Sequence, residues 1–83
     1  MNDEERCRKL AALAHCMEMG EKAYDSMYDA PTFDSASGCY RDAKDFFYDA
    51  IALSEELGLE EQRDSVSKRL QHIKDVFRSQ FVQ

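Results

Sequence analysis

Between Asp34 and Leu57 the apolar residues return with a helical rhythm. At about 100° per residue, Ser35, Ala36, Cys39, Tyr40, Ala43, Phe46, Phe47, Ala50, Ile51, Leu53, Ser54 and Leu57 share one arc of roughly 160°. Asp42, Asp45, Asp49 and Glu56 occupy the opposite arc. An apolar arc this wide exceeds what one neighbour covers, so this helix is expected to lie in a groove between two others.

The flanking segments supply those two neighbours. Ahead of it, Leu10, Leu13, Met17, Gly20, Tyr24 and Met27/Tyr28 follow a 3-4-3-4 spacing, the seam of a packed helix. Asn2 with Glu5 three residues on matches a capping box, and Asp3, Glu4 and Glu5 suit the positive end of a helix dipole. Gly20 costs roughly 1 kcal/mol against Ala in a helix interior. Its place on the seam predicts a neighbouring backbone or aromatic ring close by. Pro31 ends this helix, because it disfavours the helical region at Ala30, and Asp34 is the expected N-cap of the next. Gly58 marks the second stop. Beyond it Leu59, Val66, Leu70, Ile73, Phe77 and Phe81 form a narrow stripe, with Arg63 at the position the spacing leaves open. This third helix is expected to act as a lid over what the first leaves exposed on the second.

The prediction is one domain over residues 1–83, with helices at about 3–29, 35–57 and 60–81. Short connections favour antiparallel neighbours, so the expected fold is an all-α, up-down-up three-helix bundle. Eighty-three residues lie near the lower end of what folds alone.

Charge narrows the partners. The net charge is −6, and it is uneven. Residues 1–59 carry 6 basic and 13 acidic side chains, a balance of −7, while the remainder carries 5 and 4, or +1. Nucleic acid and anionic membranes call for a basic surface, so neither is expected as a partner. The chain opens with charge, and no apolar run approaches the roughly 18 residues of a membrane span. Three cysteines without framework spacing fit free thiols in a reducing compartment. The expected setting is cytoplasmic.

The chain has no G-x-S-x-G, C-x-x-C or H-E-x-x-H, and its three glycines are isolated. Zinc requires ligands within about 2.3 Å of one point. In an antiparallel hairpin Cys39 lies level with about residue 25, which leaves Cys7 roughly 27 Å away at 1.5 Å per residue. Cys7, Cys16, Cys39, His15 and His72 therefore do not make one site. The acidic face of the second helix lacks the contrast in environment that separates an acid from a base. It reads as a solvated face, or as a docking surface for a basic partner. No enzyme activity and no cofactor are expected. Catalysis or metal carriage would need two chains to complete a site, with Cys39 near a helix N-terminus as the reactive thiol.

Some apolar residues exceed what the three seams require: Met19 and Ala23, Tyr48 and Ala52, and Val76. Ala12, Cys16, Met19 and Ala23 predict a shallow channel along the first helix, flanked by Arg69 and Val76 from the third. A partner helix or a second copy of the chain fits such a channel. The plainer reading is a packed contact between helices 1 and 3.

Ala43, Phe47, Ala50 and Leu53 resemble the core spacing A-x3-F-x2-A of the second helix of a tetratricopeptide repeat, with Tyr24 in place of the first helix's aromatic. The segment between the helices is about ten residues longer than in that repeat, and Glu55 stands where it usually has proline. Across the whole chain, C-Y-R-D-A-K-D-F-F-Y-D-A-I-A-L-S and S-K-R-L-Q-H-I-K-D-V-F are similar to the second and third helices of the three-helix domain of microtubule-interacting and trafficking proteins. Those domains bind short peptides in grooves between helices, without chemistry. The resemblance implies a small tetratricopeptide-like adaptor for a helical segment of another protein. The alternative is a structural protein that self-associates through the Ala12–Cys16–Met19–Ala23 strip.

Overall fold

The structure, a computed structural model, describes residues 1–82; the last position of the expected domain, residue 83, lies outside the described residues. Three helices follow in order: α1 (Asp3–Asp29), α2 (Phe33–Glu56) and α3 (Glu60–Gln80). No strand occurs among the described residues. The long dimension of the 47 × 19 × 13 Å unit follows from α1, since 27 residues rise about 40 Å.

The helix starts are local chemistry. Asn2 Oδ1 accepts the Glu5 amide at 2.7 Å, as the capping pattern requires, while the Glu5 carboxylate turns to Lys9 at 3.6 Å. The second start differs from expectation. Thr32 is the N-cap, its Oγ1 accepting the Ser35 amide at 3.1 Å. Asp34 lies inside the first turn, where its charge suits the dipole. Pro31 holds Ala30 in the extended region, and Thr32, itself extended at φ −133° and ψ 161°, is the first capping residue after that break, so the cap forms there. Gly58 adopts φ +71°, and its amide bonds the Glu55 carbonyl at 3.1 Å. This is the left-handed turn that releases the chain into α3.

α2 lies between α1 and α3, and its wide apolar arc faces both. Ala36, Ala43, Phe47, Ala50, Ser54 and Leu57 are buried along it. The Ser54 hydroxyl is satisfied by donating to the Ala50 carbonyl at 2.8 Å. α1 contributes Leu13, Gly20, Tyr24 and Met27, and α3 contributes Val66, Leu70, Ile73 and Phe77. Of the alternatives Met27 and Tyr28, Met27 enters the core and Tyr28 stays outside. Leu10 also stays exposed. Phe46 departs from the expected arc as well. It is half-buried and packs outside the core cluster.

Gly20 meets the aromatic ring its position predicted. A Cβ placed there would stand 2.8 Å from Phe47 Cε2 and 3.0 Å from Cζ. The missing side chain lets the edge of the buried Phe47 ring come up against α1. In the aromatic cluster of α2 and α3, Phe77 stacks on Tyr40 at 4.0 Å between ring centroids and is flanked by Phe33 and Phe81.

Candidate interaction face

α1 has two edges beside its buried seam, and they face different helices. One edge turns to α3. Arg69 donates from Nε and Nη2 to the two Glu21 carboxylate oxygens at 2.7 and 2.6 Å, and its guanidinium lies 5.0 Å from the Tyr24 ring centroid. Gln62 reaches Met17 Sδ at 3.2 Å, and His72 meets Tyr24 edge to face. Long side chains thus bridge α1 and α3. The Glu21 hydrogen bonds raise the Arg69 pKa further above its already high value.

On this edge Tyr24 is buried, and its hydroxyl pairs with that of Tyr28 at 2.9 Å. Burial, followed by that hydrogen bond, pushes its phenol up to about 12. The unfolded phenol ionises near 10. A group with a raised folded pKa stabilises fully below the unfolded value and loses that contribution as pH climbs through the folded one. Urea denaturation should therefore show stability falling by roughly 2–3 kcal/mol between about pH 10 and 12. Tyr24→Phe should flatten most of that fall; an equally steep fall in the variant would remove Tyr24 as its cause.

The other edge of α1 carries the strip, and it turns to α2. Two contacts set the register: Gly20 lies under Phe47, and Lys9 Nζ lies 3.2 Å from Glu56. On the wheel Met19 stands about 160° from Glu21, so Arg69 holds the opposite edge. The expected grouping of Ala12, Cys16, Met19 and Ala23 with Arg69 and Val76 is therefore corrected. Val76 packs beside Arg69's side of α3 and against the core. The strip's real neighbours are Phe46 and Leu53 of α2. Cys16, Ala23 and Leu53 lean on the core, whereas Met19 and Phe46 are half-buried without joining it. The α1–α2 register puts these two at one level. Ala12 is exposed at the head of the strip, in a surface depression shared with Glu5, Arg8 and Lys9.

The rims of this face differ in sign. Along α1 run Arg8, His15 and Lys22, spaced by seven residues; along α2 run Asp42, Asp49 and Glu56, spaced likewise. The register sets Arg8 level with Glu56, His15 with Asp49 and Lys22 with Asp42. Burial, then the Asp49 carboxylate, raises the Cys16 pKa. The sequence alone leaves the α2 acids as a solvated face or a docking surface for a basic partner, and it puts Phe46 in the core. The shared heptad spacing of the two charge rows was the available signal.

The chemistry of the rest is plain. Among the described residues no three His, Cys, Asp or Glu side chains come together as a metal-binding set. Cys7 is exposed, Cys16 and Cys39 are half-buried, and all three are free thiols. With α2 beginning at Phe33, Cys39 sits in its second turn against the core rather than at the helix end. No helix of the described chain is long and apolar enough to cross a membrane. Compared with protein-family models, curated proteins and solved structures, the chain finds no significant match.

Proposed function

We propose that the chain is a non-catalytic protein–protein interaction module whose α1/α2 face receives a helix. One observation carries this reading. Met19 and Phe46 sit outside the core at the same level, in an apolar strip with Ala12, Ala23 and Leu53, between a basic and an acidic rim. Helix-in-groove recognition uses such a strip, with apolar anchors three and four residues apart. Flanking charges set orientation and partner choice. The reading accords with the resemblance of α2 and α3 to the helices of peptide-binding three-helix domains. Free thiols accord with a reducing, cytoplasmic setting.

A photo-crosslinking amino acid at Met19, compared with one at the exposed Ser67 of α3, tests the face in cells. Protein adducts are expected from position 19 and not from position 67. Equal labelling at both positions, or none at either, would sink the proposal.

A further inference from the structure

We propose that the helix received by this face comes from a second copy of the chain, docked about a two-fold axis parallel to the helices. This rests on the reading of the α1/α2 face as the interaction surface, and names its occupant. Two simple isologous arrangements place this face against itself. With the two-fold axis across the helices, α1 would lie on α1 and α2 on α2. The α1 row would then run antiparallel along its own copy, with Arg8 against Lys22, and the α2 row likewise, with Asp42 against Glu56. Both contacts bring like charges together, which opposes association. With the axis along the helices, α1 of each copy lies antiparallel on α2 of the other, and residues at one level face one another. Arg8 then faces Glu56 of the second copy, His15 faces Asp49 and Lys22 faces Asp42. The two-fold repeats these three rungs on the other rim.

The middle of the face fits the same arrangement. The α1 strip runs 12, 16, 19, 23, alternating steps of four and three, as at the seam of a coiled coil. It is mostly small, whereas α2 offers Phe46 and Leu53 one heptad apart. Across the axis Met19 meets Phe46 of the second copy, a thioether against an aromatic ring, and Ala12 meets Leu53. The result is a four-helix layer in which each Met19 and Phe46 completes its burial, with α3 of each copy on the outside.

Ion pairs within the chain do not obstruct it. Lys22 pairs with Glu18 at 3.3 Å and Glu56 with Lys9 at 3.2 Å, all on exposed or half-exposed side chains, where such pairs contribute little. Among the described residues, Arg8, His15, Asp42 and Asp49 make no ion pair.

The test is a charge swap read by light scattering across a roughly hundredfold concentration range. The native chain should show about twice its 9.6 kDa mass. His15→Glu/Lys22→Glu makes both rims acidic, and Asp42→Lys/Asp49→Lys makes α2's rim basic like α1's. Each variant alone should dimerise at least about tenfold more weakly, with helicity by circular dichroism unchanged. Mixing the two should restore a dimer containing one chain of each. Homodimers of either variant as tight as the native one would overturn the axis. A monomeric native chain would overturn self-association. In that case, adducts from position 19 to a different protein would leave the α1/α2 face standing with another occupant, whereas equal labelling at positions 19 and 67 would remove the face itself.

Discussion

Phe47→Ala is expected to destabilise the fold by about 3–5 kcal/mol, seen as a large drop in the urea midpoint. A chain of this size has a total stability of about 4–12 kcal/mol, so the variant should lose a large share of it. Phe47 is 1% exposed, and its ring edge rests on Gly20. Removing it therefore empties the α1–α2 contact at its centre. The companion change acts in the opposite sense on the same contact. Gly20→Ala adds a methyl 2.8 Å from Phe47 Cε2, where overpacking costs about 1–3 kcal/mol. Helix propensity favours Ala by roughly 1 kcal/mol, so the net effect should be a loss. In the double variant Gly20→Ala/Phe47→Leu, the two losses should fall short of additivity, because a shorter side chain leaves room for the new methyl. A Gly20→Ala protein more stable than the native one would mean that the Phe47 ring moves freely away from α1.

Phe77→Ala should cost a similar amount, about 3–5 kcal/mol, in the aromatic cluster of α2 and α3. Phe77 stacks nearly parallel to Tyr40, at 4.0 Å and 7°, and to Phe81, at 5.7 Å and 11°. The exposed Phe33 lies 6.0 Å away. Aromatic pairs contribute about 0.5–1.5 kcal/mol beyond area burial, so Phe77→Leu should recover most, but not all, of the loss. Thermal unfolding followed by circular dichroism separates the three proteins. If Phe77→Leu matched the native chain, the ring stack would add nothing to simple burial. Phe77 packs against Tyr40 and Phe81 rather than on the α1/α2 outer face, so the mild Phe77→Leu variant leaves the candidate interface in place.

Much of this molecule is legible in the order of its residues. Helix spans follow from a period of three to four, and their ends from Asn2, Pro31 and Gly58. All of these are local effects that act within a turn or two of backbone. Gly20 is legible for the same reason: a glycine on an apolar seam marks a close approach, and Phe47 is the ring that approaches. The N-cap of α2 lies two residues before the expected Asp34, because both Thr32 and Asp34 are capping residues and only the path of the chain out of Pro31 chooses between them.

The surroundings of the Ala12–Cys16–Met19–Ala23 strip were not legible. A three-helix bundle can turn with either hand, and both hands bury the same three seams. The hydrophobic pattern is therefore identical in each, while the edges of α1 exchange neighbours. In one hand the strip borders α3, and Arg69 and Val76 flank it; in the other it borders α2. The tertiary structure takes the second, with Arg69 held by Glu21 on the far edge. The heptad rows Arg8–His15–Lys22 and Asp42–Asp49–Glu56 are likewise visible as spacing. Their placement on the two rims of one face depends on register and hand together, which no period along a single helix encodes.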